Sequence, residues 1–267
     1  MSRLEACFAA RKAAGQKALV TYLVAGDPEP QATLPALHAL AAGGADVIEL
    51  GVPFSDPEAE GPDIQAGCER ALCHAVTLRD VLAMAKAFRQ ENSETALVLM
   101  GYLNSVERMG YESFAVAAVE AGIDGLILVN LPPEEADALQ GCLTPRGIDL
   151  IFLLAPTTTE TRARAILERA SGFVYYVSLK GTTGAGHIDP EDVAARLAPL
   201  RTMTGLPIAI GFGIRDGATA QRMAPLGDGV VVGSAIVRRM GSLALEDQPA
   251  ELEGFARSLR EALDASC

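Results

Sequence analysis

Short apolar runs alternate with longer amphipathic stretches from one end of the chain to the other. Ala18 to Val24 (ALVTYLV) is almost wholly apolar, and the turn residues Gly26, Asp27 and Pro28 close it. A run of this length and composition, bounded by Gly and Pro, reads as a strand buried on both faces. Gln31 to Ala42 then sets Leu34, Leu37, Leu40 and Ala41 at helical spacing and stops at Gly43 and Gly44, a C-terminal cap. The same alternation predicts further strands over Asp46 to Leu50, Ala96 to Met100, Gly125 to Val129, Asp149 to Leu154, Phe173 to Val177, Pro207 to Ile210 and Gly229 to Val232. Helices are predicted over Ile64 to Ala75, Thr77 to Glu91, Tyr111 to Ala121, from Pro133 onward, Glu160 to Ala170, Asp189 to Leu200 and Ala218 to Leu226, and the residues that follow the eighth strand and Gly233-Ser234 are read as helix to the end. One more amphipathic helix, MSRLEACFAARKAAG, precedes the first strand. About eight strand and helix pairs, joined by short loops with no linker, predict one α/β domain over residues 1–267: a closed TIM (β/α)8 barrel with an extra N-terminal helix.

Composition agrees with that pattern. The chain is 49% hydrophobic but only 5% aromatic and has no Trp, so its core is Ala, Leu, Val and Ile. A net charge of −12 argues against nucleic acid or an anionic membrane as partner, since either calls for clustered Lys and Arg. Any anionic ligand must then be held by local devices. No apolar run approaches the ~18 residues of a membrane span, and the first residues do not read as a signal peptide. The five cysteines are odd in number and scattered without a CxxC, which indicates neither a disulfide framework nor a metal site and suits a reducing cytoplasm. His38 and His74 fall in helical segments as packing or surface residues, while His187, in a Gly-rich loop, stays open.

In such a barrel the chemistry gathers at the carboxyl ends of the strands. Glu49 stands inside an apolar strand, where charge is costly, and a loop carrying Asp56, Glu58, Glu60 and Asp63 follows it. A strand carboxylate facing an acidic loop can place two proton-transferring groups around a small substrate; it can equally be a satisfied strand-end carboxylate beside a solvated loop. Tyr102, after the third strand, is either part of that site or a core aromatic with its hydroxyl at the rim. Three later strand ends are glycine-rich: Gly181 to Gly186, Gly211-Phe212-Gly213, and Gly233-Ser234 opening a helix. Backbone N–H groups exposed there make a phosphate cup that needs no Lys or Arg. Gly184, Gly213, Gly233 and Ser234 are its candidate members, and the ligand is a small phosphate ester.

These residues carry a family resemblance. The runs AGDP at Ala25 to Pro28, ELGVPFSDP at Glu49 to Pro57, LPPEE at Leu131 to Glu135, GTTGAG at Gly181 to Gly186, GFGI at Gly211 to Ile214 and VGSAIV at Val232 to Val237 together resemble the tryptophan synthase alpha subunit, in order and over nearly the whole chain. The resemblance implies a lyase of tryptophan biosynthesis that cleaves indole-3-glycerol phosphate to indole and glyceraldehyde 3-phosphate. It implies an α2β2 complex in which indole passes to a beta subunit carrying pyridoxal phosphate, with no cofactor or metal in this chain. It assigns Glu49 as principal acid/base, position 60 as the second carboxylate, and the loops holding Asp56 and Thr183 as elements that close over substrate. The family carries Asp at position 60, where this chain has Glu60. Glu58 replaces a usual apolar residue, Asn130 a usual Asp and Ser105 a usual Pro. That clustering near the strand ends keeps two other readings in view: a catalytically impaired subunit that binds ligand and regulates its partner, and a lyase that works alone and releases free indole.

Overall fold

The computed structural model describes residues 2–177, 190–211 and 213–265. Eight parallel strands pair in sequence order: β1 (Ala18–Val24), β2 (Val47–Gly51), β3 (Ala96–Gly101), β4 (Gly125–Leu128), β5 (Asp149–Leu154), β6 (Val174–Val177), β7 (Ile208–Gly211) and β8 (Gly229–Val232). β8 closes on β1, giving the predicted barrel. Around it lie α1 (Arg3–Ala13), α2 (Thr33–Ala42), α3 (Pro62–Cys73), α4 (Leu78–Glu91), α5 (Leu103–Met109), α6 (Tyr111–Glu120), α7 (Asp137–Leu143), α8 (Glu160–Leu167), α9 (Pro190–Met203), α10 (Gly217–Met223), α11 (Ser234–Ser242) and α12 (Gln248–Asp264).

Three elements differ from the sequence expectation. α5 was not expected; it forms because the Asn130 side chain accepts the Leu103 N–H at 2.8 Å, and Gly110, at φ +86°, ends it. After Pro132 the chain makes a short 3-10 turn, Pro133–Glu135, and α7 starts only at Asp137. The C-terminal stretch is two helices, broken between residues 243 and 247.

Period two along the strands creates two cores. Val20, Tyr22 and Val24 of β1, Val98 and Met100 of β3, and Ile127 and Ile151 fill the barrel, while Leu19, Leu23, Ile48, Leu50, Leu97 and Leu99 pack outward under the helices. At the amino-terminal end, Leu4 and Phe8 of α1 join the interior set, and the Phe8 ring meets Phe173 at 5.4 Å. The extra helix is therefore a plug.

The same end is stapled by aspartates that each precede a strand. Asp46 accepts the Leu19 N–H at 2.8 Å and pairs with Arg11 and Arg260. Asp124 accepts the Leu97 N–H at 2.8 Å and pairs with Arg3 and Arg89. Asp228 accepts the Ile208 N–H at 2.8 Å and pairs with Arg201. A carboxylate so satisfied is stable near a core, and the backbone donor that begins each neighbouring strand finds a partner.

Candidate active site

Glu49 is the middle residue of β2 and faces inward, opposite in phase to Ile48 and Leu50. Its Cα partners are Tyr22 on β1 and Val98 on β3. It is fully buried, and neither carboxylate oxygen has a hydrogen-bond partner among the described residues. An ionised carboxylate in that position is costly, so burial pushes its carboxyl well above the usual range, and the charge of Glu60 pushes it further. Burial thus favours the protonated form of Glu49.

Glu60 is brought to Glu49 by a loop fixed at several points. Within it the Glu58 N–H donates to the Asp56 carbonyl at 2.9 Å and the Glu60 N–H to the Pro57 carbonyl at 3.0 Å. Tyr102, buried at the end of β3, stacks on Phe54 with ring centroids 4.7 Å apart, and its hydroxyl accepts the Ala59 N–H at 3.0 Å. From α3, Gln65 donates through Nε2 to the Glu60 carbonyl at 2.8 Å. α3 is itself pinned at both ends. Asp63 in its first turn pairs with Arg238 of α11, and Arg70 in its last turn forks onto the fully buried Asp27 at 2.6 and 2.9 Å.

The loop therefore presents Glu60 half-buried over the barrel mouth, where burial raises its carboxyl to about 7, while Asp56 and Glu58 stay exposed. Tyr102 is raised to about 12, first by burial, so its hydroxyl stays protonated. Two carboxyls that burial raises above their ordinary range, the charge of one acting on the other, suit acid–base chemistry at neutral pH.

On the other side of the mouth, Gly211 and Val231 are Cα partners at the ends of β7 and β8, and Gly213 and Gly233 follow just beyond those strand ends. Gly213 has φ +74°, and Gly233 caps the N-terminus of α11, of which Ser234 is the first residue. Gly184 and Thr183 lie outside the described residues. Asn130 accepts from the Leu103 amide and donates to the Asn104 side chain at 3.2 Å, so the departures at positions 130 and 105 both sit at the start of α5, beside Tyr102. Asp63, read from sequence as a helix-start acid, does stand in the first turn of α3 as well as pairing with Arg238. Among the described residues no group of three or more His, Cys, Asp or Glu is placed to hold a metal ion.

Sequence reasoning passed over Tyr22, Tyr175 and Gln65. Tyr22 and Tyr175 stand inside the barrel with their hydroxyls over glycines: a Cβ on Gly51 would lie 2.3 Å from Tyr22 Oη, and one on Gly211 would lie 2.4 Å from Tyr175 Oη. The signal that points to Tyr22 is its place in an apolar strand whose neighbour carries Glu49.

A profile of the family described as "Tryptophan synthase alpha chain" matches residues 8–264. The tryptophan synthase alpha chain of Thioalkalivibrio sulfidiphilus is 58% identical over 240 residues, covering 90% of both chains. That of Nitrosococcus oceani is 50% identical over 268 residues, covering 100% of this chain and 99% of the relative. Among solved structures, the tryptophan synthase subunit alpha of Legionella pneumophila superposes with a TM-score of 0.89 at 40% identity, over 99% of each chain. A chain of tryptophan synthase from M. tuberculosis, in an aminoacrylate-bound form, gives 0.87 at 34% identity, over 98% of this chain and 100% of that one. Identity at this level over nearly the full length, on a closed barrel with two acids at its mouth, makes the chain a member of the tryptophan synthase alpha chain family.

Proposed function

We propose that Glu49 and Glu60 carry out the reaction of this family, the lyase step that cleaves indole-3-glycerol phosphate to indole and glyceraldehyde 3-phosphate. The observation that supports this most is the Glu49 carboxyl, buried in an apolar interior with both oxygens unpartnered among the described residues. Held protonated, it delivers a proton to C3 of the indole ring. Glu60, raised to about 7, is ionised often enough at neutral pH to take the ring N–H proton as positive charge develops there. The Glu49 carboxylate left behind then takes the proton of the hydroxyl on the adjoining glycerol carbon. The bond from that carbon to C3 breaks, the hydroxyl carbon becomes the aldehyde, and the electron pair returns through the ring to nitrogen, which regains its proton from Glu60. Each proton is thus accounted for by a side chain of this chain.

Gly213, Gly233 and Ser234, with Gly184, hold the phosphate through backbone N–H groups and the amino end of α11. Tyr102 sets the height of the acidic loop, and Asp56 and Thr183 lie on the segments that close over substrate. The partner is a tryptophan synthase beta subunit in an α2β2 assembly, with pyridoxal phosphate carried by that partner. The chain works in the cytoplasm; among the described residues no helix is long and apolar enough to cross a membrane.

Steady-state indole release from indole-3-glycerol phosphate, with and without a beta subunit, is the test. Release that rises when the beta subunit is added supports the reading. Absence of release in both conditions, with ligand-dependent stimulation of the beta subunit retained, sinks it in favour of a regulatory subunit.

A further inference from the structure

α3 opens directly out of the acidic loop, and Gln65, at the end of its first turn, bonds its N–H to the Gly61 carbonyl at 2.9 Å. Side chains of a helix lean toward its amino end, so a long one at this position reaches back over the chain that leads in. There Gln65 Nε2 donates to two carbonyls, that of Glu60 at 2.8 Å and that of Pro57 at 3.4 Å. Pro57 and Glu60 are the two ends of one tight turn, closed by the Glu60 N–H on the Pro57 carbonyl at 3.0 Å. A single amide thus grips both ends of the turn that carries the second carboxyl, while Tyr102, at the end of β3, takes the Ala59 N–H.

The helix that supplies this grip is itself braced. A Cβ on Gly67 would lie 2.9 Å from both Asp27 Oδ2 and Val237 Cγ1, so α3 sits in close contact with the turn after β1 and with α11. Cys68 and Ala71 are buried with the barrel interior, and the pairs Asp63–Arg238 and Arg70–Asp27 hold the two ends. The Glu60 carboxyl, by contrast, makes no hydrogen bond to a described residue, and burial is what raises it. Its place is therefore set through its backbone, and the Glu60 carbonyl is the atom that Gln65 holds.

We propose that Gln65 is a positioning residue of the cleavage reaction: its side-chain amide, carried on a braced helix, fixes the turn of residues 57–60 at the height where the Glu60 carboxyl lies over the barrel mouth. Without that amide the turn keeps its own closing bond but loses its tie to α3, and Glu60 turns outward to water. The carboxyl is then less well placed for the substrate ring nitrogen. Its proton affinity also falls back toward the ordinary value, because the burial that raised it is relieved. The inference rests on the assignment of Glu60 proposed above.

The test is the pH dependence of kcat/KM for indole release from indole-3-glycerol phosphate by the chain assembled with a beta subunit, for the wild type, Gln65→Leu, Gln65→Ala and Glu60→Gln. Leucine keeps most of the side chain without a donor, and alanine is the best helix former, so both leave α3 intact. Unchanged affinity for glycerol 3-phosphate reports an intact phosphate cup. In the wild type kcat/KM rises with pH through about 7, and Glu60→Gln removes that limb. Both Gln65 variants are expected to move its midpoint downward by about one pH unit and to lower kcat on the plateau about tenfold, with KM little changed. An unmoved midpoint, or a loss that comes with weakened glycerol 3-phosphate binding, shows that Gln65 only supports the fold and overturns the inference while leaving Glu60 in its role. A limb that survives Glu60→Gln overturns both.

Discussion

The Tyr102 hydroxyl accepts the Ala59 amide at 3.0 Å, and this single bond ties the end of β3 to the middle of the acidic loop. A hydroxyl that accepts in this way anchors the loop and keeps its own O–H free to donate. Tyr102→Phe removes one hydrogen bond, worth about 1 kcal/mol, and keeps the ring stacked on Phe54. The expected result is a fall in kcat/KM of about fivefold, with faster amide exchange at Ala59. A loss of about a thousandfold or more gives Tyr102 a direct part in proton transfer instead.

Glu49→Gln keeps the shape of the interior but cannot donate or take the protons of the reaction. Turnover is expected to fall at least about a hundredfold while affinity for glycerol 3-phosphate stays near that of the wild type. Parallel loss of binding would show that Glu49 holds the fold or the ligand rather than the proton.

Glu60 makes stability depend on pH in a defined direction. In the folded chain its carboxyl is raised from the ordinary 4.5 to about 7, so between these values the folded state keeps a proton that the unfolded state has lost. Stability is therefore unaffected by this group below 4.5, falls as pH rises toward 7, and is lower by on the order of 3 kcal/mol above it. Glu60→Gln abolishes the effect. Urea unfolding is expected to show the variant equal to wild type at pH 4 and more stable at pH 8; an equal difference at both contradicts the assignment.

Arg70 is the sole ion-pair partner recorded for Asp27 among the described residues, and Asp27 has no exposed surface. Arg70→Leu strands that charge and is expected to cost about 3 kcal/mol or more in thermal unfolding. Asp27→Asn combined with Arg70→Leu recovers much of the loss, because the buried charge has gone. Since α3 carries Gln65 against the loop, the single variant is also expected to raise KM.

The barrel was legible because every strand is apolar in both phases and bounded by Gly, Pro or Asp, a pattern that strands packed on both faces require. That completeness hid something else. When Leu19, Val20, Tyr22 and Leu23 are all compatible with burial, sequence does not say which face the lumen, and Tyr22 passed for ordinary core. Glu49 announced itself because charge in such a run is anomalous, and the glycines after β7 and β8 because two clusters fall where barrels bind phosphate. Gln65 left no mark, since its action on the Glu60 carbonyl depends on the turn between them. α5 went unseen because its start is fixed by Asn130, a residue 27 positions away from the amide that it caps.

The plug formed by Leu4 and Phe8 has a bearing on product traffic. With Leu4 and Phe8 packed into the amino-terminal end and Phe8 against Phe173, that end of the barrel interior is filled by side chains, and traffic of substrate and product falls to the carboxyl ends of the strands. Whatever covers the carboxyl end of the strands therefore governs both admission and escape. An apolar product that is slow to be lost to water is the natural outcome of a floor that does not leak.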